Sequence, residues 1–336
     1  MDPFSRYLSA LETEMRSAVE ASSPGPPLLR GMLHYHLGWA DADFRPVRQD
    51  SGKHLRPVFL LLAYESQGGA WRRALPAAAA VELLHNFSLI HDDIEDHDIT
   101  RRGRATLWTL WGEAQAINAG DALLAIACHA LARLRTTGLD AGCILEAQSR
   151  LNITVIQLTG GQCLDMSFET WETVPEETYL RMVGGKTAAL LGYSCELGGL
   201  LSRAAAGRVA ALQAFGYNLG LAFQMQDDLL GLWGDPAHTG KPVGADLRQH
   251  KKTLPILHGL QHSAELRALL AHPTLDEADV VRAQAYLEAA GSREYTQARA
   301  QEYHRRALEA LEQAGGQGEA QDALHTLAQH LLSRDK

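Results

Sequence analysis

Only one stretch of this chain gathers β-branched residues, Asn152 to Leu158, and helix formers flank it on both sides. Elsewhere Ala and Leu dominate. A sheet needs several β-rich runs with period-two alternation. The chain is therefore expected to be all-α, with Asn152–Leu158 read as helix. Helices are expected to begin near residues 4, 28, 53, 74, 113, 141, 176, 206, 252, 277, 293 and 318. Some starts carry local signals. Thr173 with Glu176 reads as a capping box with Pro175 in the first turn, and Thr274 with Glu277 repeats the pattern. Breaks fall at Pro24-Gly25-Pro26-Pro27, Gly68-Gly69, Gly138, Gly234-Asp235-Pro236, His272-Pro273 and Gly315-Gly316.

None of these loops is long enough for a domain linker, and no internal repeat is visible. One domain over residues 1–336 is expected, a helical bundle. Its motif-bearing core runs from about 50 to 260, and helices at about 262–336, rich in Ala, Glu, Gln and Arg, pack on it. The longest uncharged run, Val209 to Gln226, contains Gln213, Asn218 and Gln224. A bilayer resists such residues, so a buried helix and no membrane span are expected. The first residues, MDPFSRYLSALETEM, carry acids and no apolar core, unlike a signal peptide. Cys128, Cys143, Cys163 and Cys195 form no C-x-x-C pair, so a zinc ribbon or disulfide framework is not expected and a reducing, cytoplasmic setting is. With 31 basic against 40 acidic residues the net charge is −9, which argues against nucleic acid as a partner.

The chemistry concentrates in two acidic clusters. In Ser88-Leu-Ile-His-Asp-Asp-Ile-Glu-Asp-His-Asp98, Asp92 and Asp96 stand four apart and share a helix face. Like charges so placed repel, and folding alone gives little reason for them. A hard divalent cation with oxygen ligands, such as Mg²⁺, would offset the repulsion. A solvated helix end could carry the same acids, but here the apolar run Phe87 to Ile90 leads into them. Arg101, Arg102 and Arg104 follow, and guanidinium forks match phosphate oxygens. Acids, arginines and Mg²⁺ together describe a diphosphate site.

The second cluster, Asp227-Asp228, again ends an apolar helix. Beyond it come Gly240-Lys241, Asp246 and Lys251-Lys252, which suit a loop closing over phosphate and metal. A surface turn with scattered charge would explain one such copy; it explains two poorly.

These residues resemble the trans-isoprenyl diphosphate synthases, or polyprenyl synthetases, over roughly residues 50 to 260. The resemblance is carried in order by Gly52-Lys53-His54-Leu55-Arg56-Pro57, His85, Asp92-Asp93-Ile94-Glu95-Asp96, Arg101-Arg102-Gly103, Gly161-Gln162-Cys163-Leu164-Asp165, Gly185-Lys186-Thr187, Phe223-Gln224, Asp227-Asp228 and Gly240-Lys241. It implies an all-α bundle around a deep cavity, usually a homodimer. It further implies Mg²⁺-dependent condensation of an allylic diphosphate with isopentenyl diphosphate. By position, Asp92, Asp96 and Asp227 would bind Mg²⁺, with Asp93 and Asp228 assisting behind them. Lys53, Arg56, His85 and Arg102 would hold isopentenyl diphosphate, and Arg101, Lys186 and Lys241 the allylic diphosphate. Thr187 and Gln224 would face the reacting carbons. One departure stands out: the second motif often ends in a third aspartate, and here that position is Gly231.

In this family the residues just before the first aspartate set product length. Phe87 beside the small Ser88 resembles the enzymes that make the twenty-carbon geranylgeranyl diphosphate, with Phe87 as the floor; farnesyl (fifteen-carbon) and longer products are the alternatives. Two other classes stand as alternatives. A phosphohydrolase using His91-Asp92 would leave Gly52–Pro57 and the second cluster unexplained. A non-catalytic partner of a heteromeric synthase finds support only in Gly231. Trp108, Trp111 and Trp233 are expected to serve packing, and Cys163 to be a small buried hydrophobe.

Overall fold

The computed structural model describes residues 4–22, 25–49, 51–235 and 244–332. They form helices throughout, apart from one two-stranded hairpin of two-residue strands. The chain divides into two compact units. One is built from Met1–Arg150, Leu197–Ala204 and Gln317–Gln321, the other from Leu151–Glu196, Ala205–Gly316 and Asp322–Lys336.

The first unit is organised around α4 (Leu75–Glu95). Its residues Ala77 to Leu84 are all buried, so the helix is covered on every side. Helices α1 (Ser5–Ser22), α3 (Leu55–Ser66) and α6 (Glu113–Ala132) supply that cover. Alanines at 77 to 80 let these neighbours approach closely, while Leu83 and Leu84 each contribute ~1.5–3 kcal/mol of burial. Helix α2 (Pro27–His36) begins at Pro27, where a proline costs no hydrogen bond. Between α4 and α5 (Leu107–Trp111), strands β1 (Thr100–Arg101) and β2 (Arg104–Ala105) pair antiparallel.

Helix α7 (Ala141–Phe168) runs through Asn152–Leu158, as its neighbours dictated. In the second unit, α8 (Glu176–Val183) continues through a π-helical turn, Gly184–Ala188, into α9 (Ala189–Leu201). The uncharged run lies in α10 (Ala206–Trp233), buried along Leu219 to Ala222 and at Met225 and Gln226. The Ser292–Ala314 helix packs on α10, and Ala300 and Tyr303 join Tyr179, Met182, Leu221 and Met225 in one core.

Two caps differ from expectation. The N-cap of α8 is Pro175 itself, with no side-chain bond, so Thr173 forms no capping box. Before the Glu277–Ala289 helix the box is made by Asp276 and Asp279, two residues beyond Thr274. Asp competes well at an N-cap, and here both reciprocal bonds form. Cys163 is exposed, which corrects the buried reading, and all four cysteines are free. Among the described residues one helical stretch, Glu113–Thr137, is long and apolar enough to cross a membrane. It contains α6, whose Ala116, Leu123, Ala127 and Leu131 are buried.

Candidate active site

Asp92 lies half-buried near the end of α4, and Asp96 is its exposed C-cap. The Asp96 amide donates to the Asp92 carbonyl at 2.9 Å, so the helical spacing persists and the two carboxylates leave on one face. Asp93 points the other way. It is 2% exposed and accepts a hydrogen bond from Arg101 Nε. Burial pushes its pKa up to about 6, although the Arg101 charge pulls it down. Arg101 also lies 3.6 Å from Asp98. The base of the hairpin is tied by Thr106 Oγ1 and Trp108 Nε1, both donating to the Asp98 carbonyl at 2.8 Å. Its turn, Arg102-Gly103, has φ of 51° and 72°, as a two-residue hairpin requires.

The Arg102 guanidinium reaches the loop before α3. A Cβ on Gly52 would stand 2.6 Å from Arg102 Nη2, and Gly52 has φ +98°; only glycine fits. His54 caps α3 in a left-handed conformation, and Lys53 is exposed beside it. Arg56 Nη1 donates to His85 Nε2 at 3.3 Å. Arginine cannot accept, so that nitrogen is unprotonated. Burial first, and then the Arg56 charge, hold His85 well below its usual pKa, in keeping with a neutral ring. Lys53, Arg56, His85 and Arg102 therefore all belong to the first unit, close to one loop and one helix.

In the second unit the π turn carries Lys186 and Thr187. Such turns recur at functional sites because they break the helical register locally. Lys186 Nζ donates to Asp165 Oδ2 at 2.6 Å. Thr187 Oγ1 donates to Gln224 Oε1 at 2.9 Å, and Gln224 Nε2 to Asp228 Oδ1 at 3.0 Å. Asp228, 3% exposed, also accepts from Tyr179 Oη at 2.6 Å and from the Leu254 amide at 3.0 Å. Burial raises its pKa to about 6 against these three donors. Asp227 is only half-buried. The two pairs thus divide labour alike: the first acid is accessible, and the second turns inward to hold its neighbours.

The sequence model of the polyprenyl synthetase family matches residues 39–287. A geranylgeranyl diphosphate synthase of Mycobacterium tuberculosis is 44% identical over 85% of this chain and 82% of its own. The chain belongs to the polyprenyl synthetase family. It is a prenyltransferase. A (2E,6E)-farnesyl diphosphate synthase of the same organism is 40% identical over 92% of this chain and 87% of its own. The crystal structure of a polyprenyl synthetase from Streptomyces coelicolor A3(2) has a TM-score of 0.90 at 37% identity, covering 98% of both chains.

For a polyprenyl synthetase the donor set suits Mg²⁺. That ion dehydrates reluctantly and uses one or two carboxylates with waters and substrate phosphates. Among the described residues no group of three or more His, Cys, Asp or Glu side chains is placed to hold a metal ion by itself. Asp92 with Asp96 is a pair of the open kind, not a zinc site. Lys241 lies outside the described residues. Phe87 is 8% exposed, with its ring 4.8 Å from that of His91, and Ser88 Oγ donates to the His85 carbonyl at 2.8 Å.

Gly231 has a physical reason. A Cβ there would overlap Asp246 Oδ2, on the Ala245–Arg248 turn of helix. The Asp246 carboxylate stands where a side chain at 231 would begin. The sequence placed Asp246 downstream of the second motif but did not set it against Gly231. Sequence reasoning missed Tyr179 and Glu82. The signal for Glu82 was present: a single carboxylate inside the apolar run Ala77 to Leu84.

Proposed function

We propose that the chain joins an allylic diphosphate to isopentenyl diphosphate with Mg²⁺, making geranylgeranyl diphosphate. The observation that carries the reading is the shared division of labour in the two aspartate pairs. Asp92, Asp96 and Asp227 are the groups that would hold Mg²⁺, which when bound supplies Lewis-acid charge at the leaving diphosphate. Arg101, aimed by Asp93, adds fixed positive charge there, as do Lys186 and Lys241. Lys53, Arg56, His85 and Arg102 hold isopentenyl diphosphate and so set the angle of approach. Thr187 and Gln224, linked to each other and to Asp228, present oxygens to the allylic carbons. Apolar walls keep water from the cationic fragment. No side-chain nucleophile is required, and the released diphosphate can take the final proton.

Phe87 beside Ser88 favours the twenty-carbon product, with Phe87 as the floor. A fifteen-carbon product is the second reading, favoured by the farnesyl diphosphate synthase at 40% identity. We further propose a homodimer in a cytoplasmic setting. On α7, Ile153 and Ile156 are 53% and 71% exposed, and Ile117 on α6 is 44% exposed. A second copy of the chain would cover them. Four free cysteines suit a reducing compartment.

Replacing Asp92 tests the metal assignment. Asp92→Ala is expected to lower turnover at least roughly a hundredfold, about 2.7 kcal/mol of barrier. Near-native turnover would remove Asp92 from the site.

A further inference from the structure

Glu82 is 2% exposed in the middle of α4. A carboxylate so buried is costly unless charge and hydrogen bonds meet it. Asn86 Nδ2 donates to Glu82 Oε1 at 3.1 Å and to its carbonyl at 2.8 Å. The charge comes from His54, whose Nδ1 lies 2.9 Å from the same Oε1. That partner belongs to another element, the loop before α3. On its far side, His54 Nε2 is 2.9 Å from Ser51 Oγ.

His54 thus ties the turn at residues 51–54 to α4. Its backbone is left-handed, with φ 49°, a conformation that a non-glycine residue keeps only when its surroundings impose it. Lys53 precedes it, and Arg56 follows in the first turn of α3. One turn along α4 from Glu82, His85 holds Arg56. Helix α4 therefore grips the loop through His54 and the start of α3 through Arg56, at two adjacent positions.

We propose that Glu82 is a positioning residue for isopentenyl diphosphate: through His54 it locks the turn that presents Lys53 and Arg56, without touching the substrate. The proposal rests on the reading that these two cations bind isopentenyl diphosphate. Burial works against charge on both partners. Their mutual attraction overrides it, holding Glu82 down to about 2 and His54 above its usual value.

The test is steady-state kinetics of the full chain with each substrate varied in turn, for Glu82→Gln, His54→Gln, the double variant and Lys53→Ala. Glu82→Gln is expected to raise KM for isopentenyl diphosphate about tenfold, with kcat and the allylic KM changed less than about threefold. His54→Gln should do the same. The double variant should be no worse than either single one, because both act along one path. Melting curves identify variants that fail to fold. His54→Gln, altered at the loop and not in the core of α4, keeps the test open if Glu82→Gln is lost. The proposal is overturned if Lys53→Ala raises KM for isopentenyl diphosphate and the foldable Glu82 or His54 variants do not. It is also overturned if those variants lower kcat with KM unchanged, or if their effects add. If Lys53→Ala leaves KM unchanged, the clamp itself is wrong and the proposal falls with it.

Discussion

A carboxylate in the last turn of a helix opposes the helix dipole. Asp92, Asp93 and Glu95 all sit near the end of α4, which has no basic residue in its last turn. Asp93 is relieved by Arg101, and Asp228 in α10 by Tyr179, Gln224 and the Leu254 amide. The accessible Asp92, Asp96 and Asp227 are the ones the proposed metal site draws on. Gly231 belongs to the same economy of carboxylates. Gly231→Asp restores the family's third aspartate in sequence, but its Cβ meets Asp246. It is expected to destabilise the fold by about 1–3 kcal/mol, as overpacking does. Denaturant melts should show the loss, and a second change, Asp246→Gly, should recover most of it. An unchanged midpoint would mean that Asp246 moves aside freely. Motif order marks the aspartates and the proposed clamp residues in the sequence. The resemblance already set Asp93 and Asp228 behind their neighbours, but not the groups that hold them there, since a helical wheel places neighbours only about 100° apart and cannot say what packs against each side. Tyr179 was hidden because its partner lies 49 positions away.

At the scale of elements, helix starts followed from composition and punctuation. Expected starts near 113, 141, 176, 206, 277 and 318 coincide with observed ones. What escaped were features without a side-chain period. The hairpin strands are two residues long, too short for alternation to register. The π turn at Gly184–Ala188 is a change of hydrogen-bond register within a continuous helical pattern. The α5 helix is five residues long. Exposed Ile153 and Ile156 on α7 carry the element-scale prediction. Ile156→Lys is expected to leave a monomer folded, since an exposed site shifts stability by about 0.5 kcal/mol or less. It should convert the proposed homodimer to monomer in light scattering, because it buries a charge in the contact. A variant that keeps the wild-type mass would place the contact elsewhere.

For the whole molecule, the net charge of −9 does not exclude an anionic substrate. Local Arg and Lys, with acids that recruit metal, decide the potential at a site, whatever the sum. The same buried clusters shape the response to pH. Burial first, then the charges of Arg102, Arg101 and Arg104, lower His36 to about 3. The unfolded chain protonates this ring near pH 6.5, and the fold resists doing so. This contribution is complete above about pH 6.5 and is lost as pH falls below it, by at most about 1.4 kcal/mol per pH unit. Urea midpoints measured from pH 7.5 to 5 should fall, and fall less in His36→Gln; parallel curves would show that His36 titrates freely.

The central claim, prenyl transfer assisted by Mg²⁺ at the two aspartate motifs, is met most directly by mass analysis of the product. The purified chain would be supplied with Mg²⁺, isopentenyl diphosphate and, in turn, dimethylallyl, geranyl and farnesyl diphosphate. The prediction is a twenty-carbon prenyl diphosphate that disappears with chelator, and longer products from Phe87→Ala. Release of inorganic diphosphate with no longer prenyl chain would contradict it.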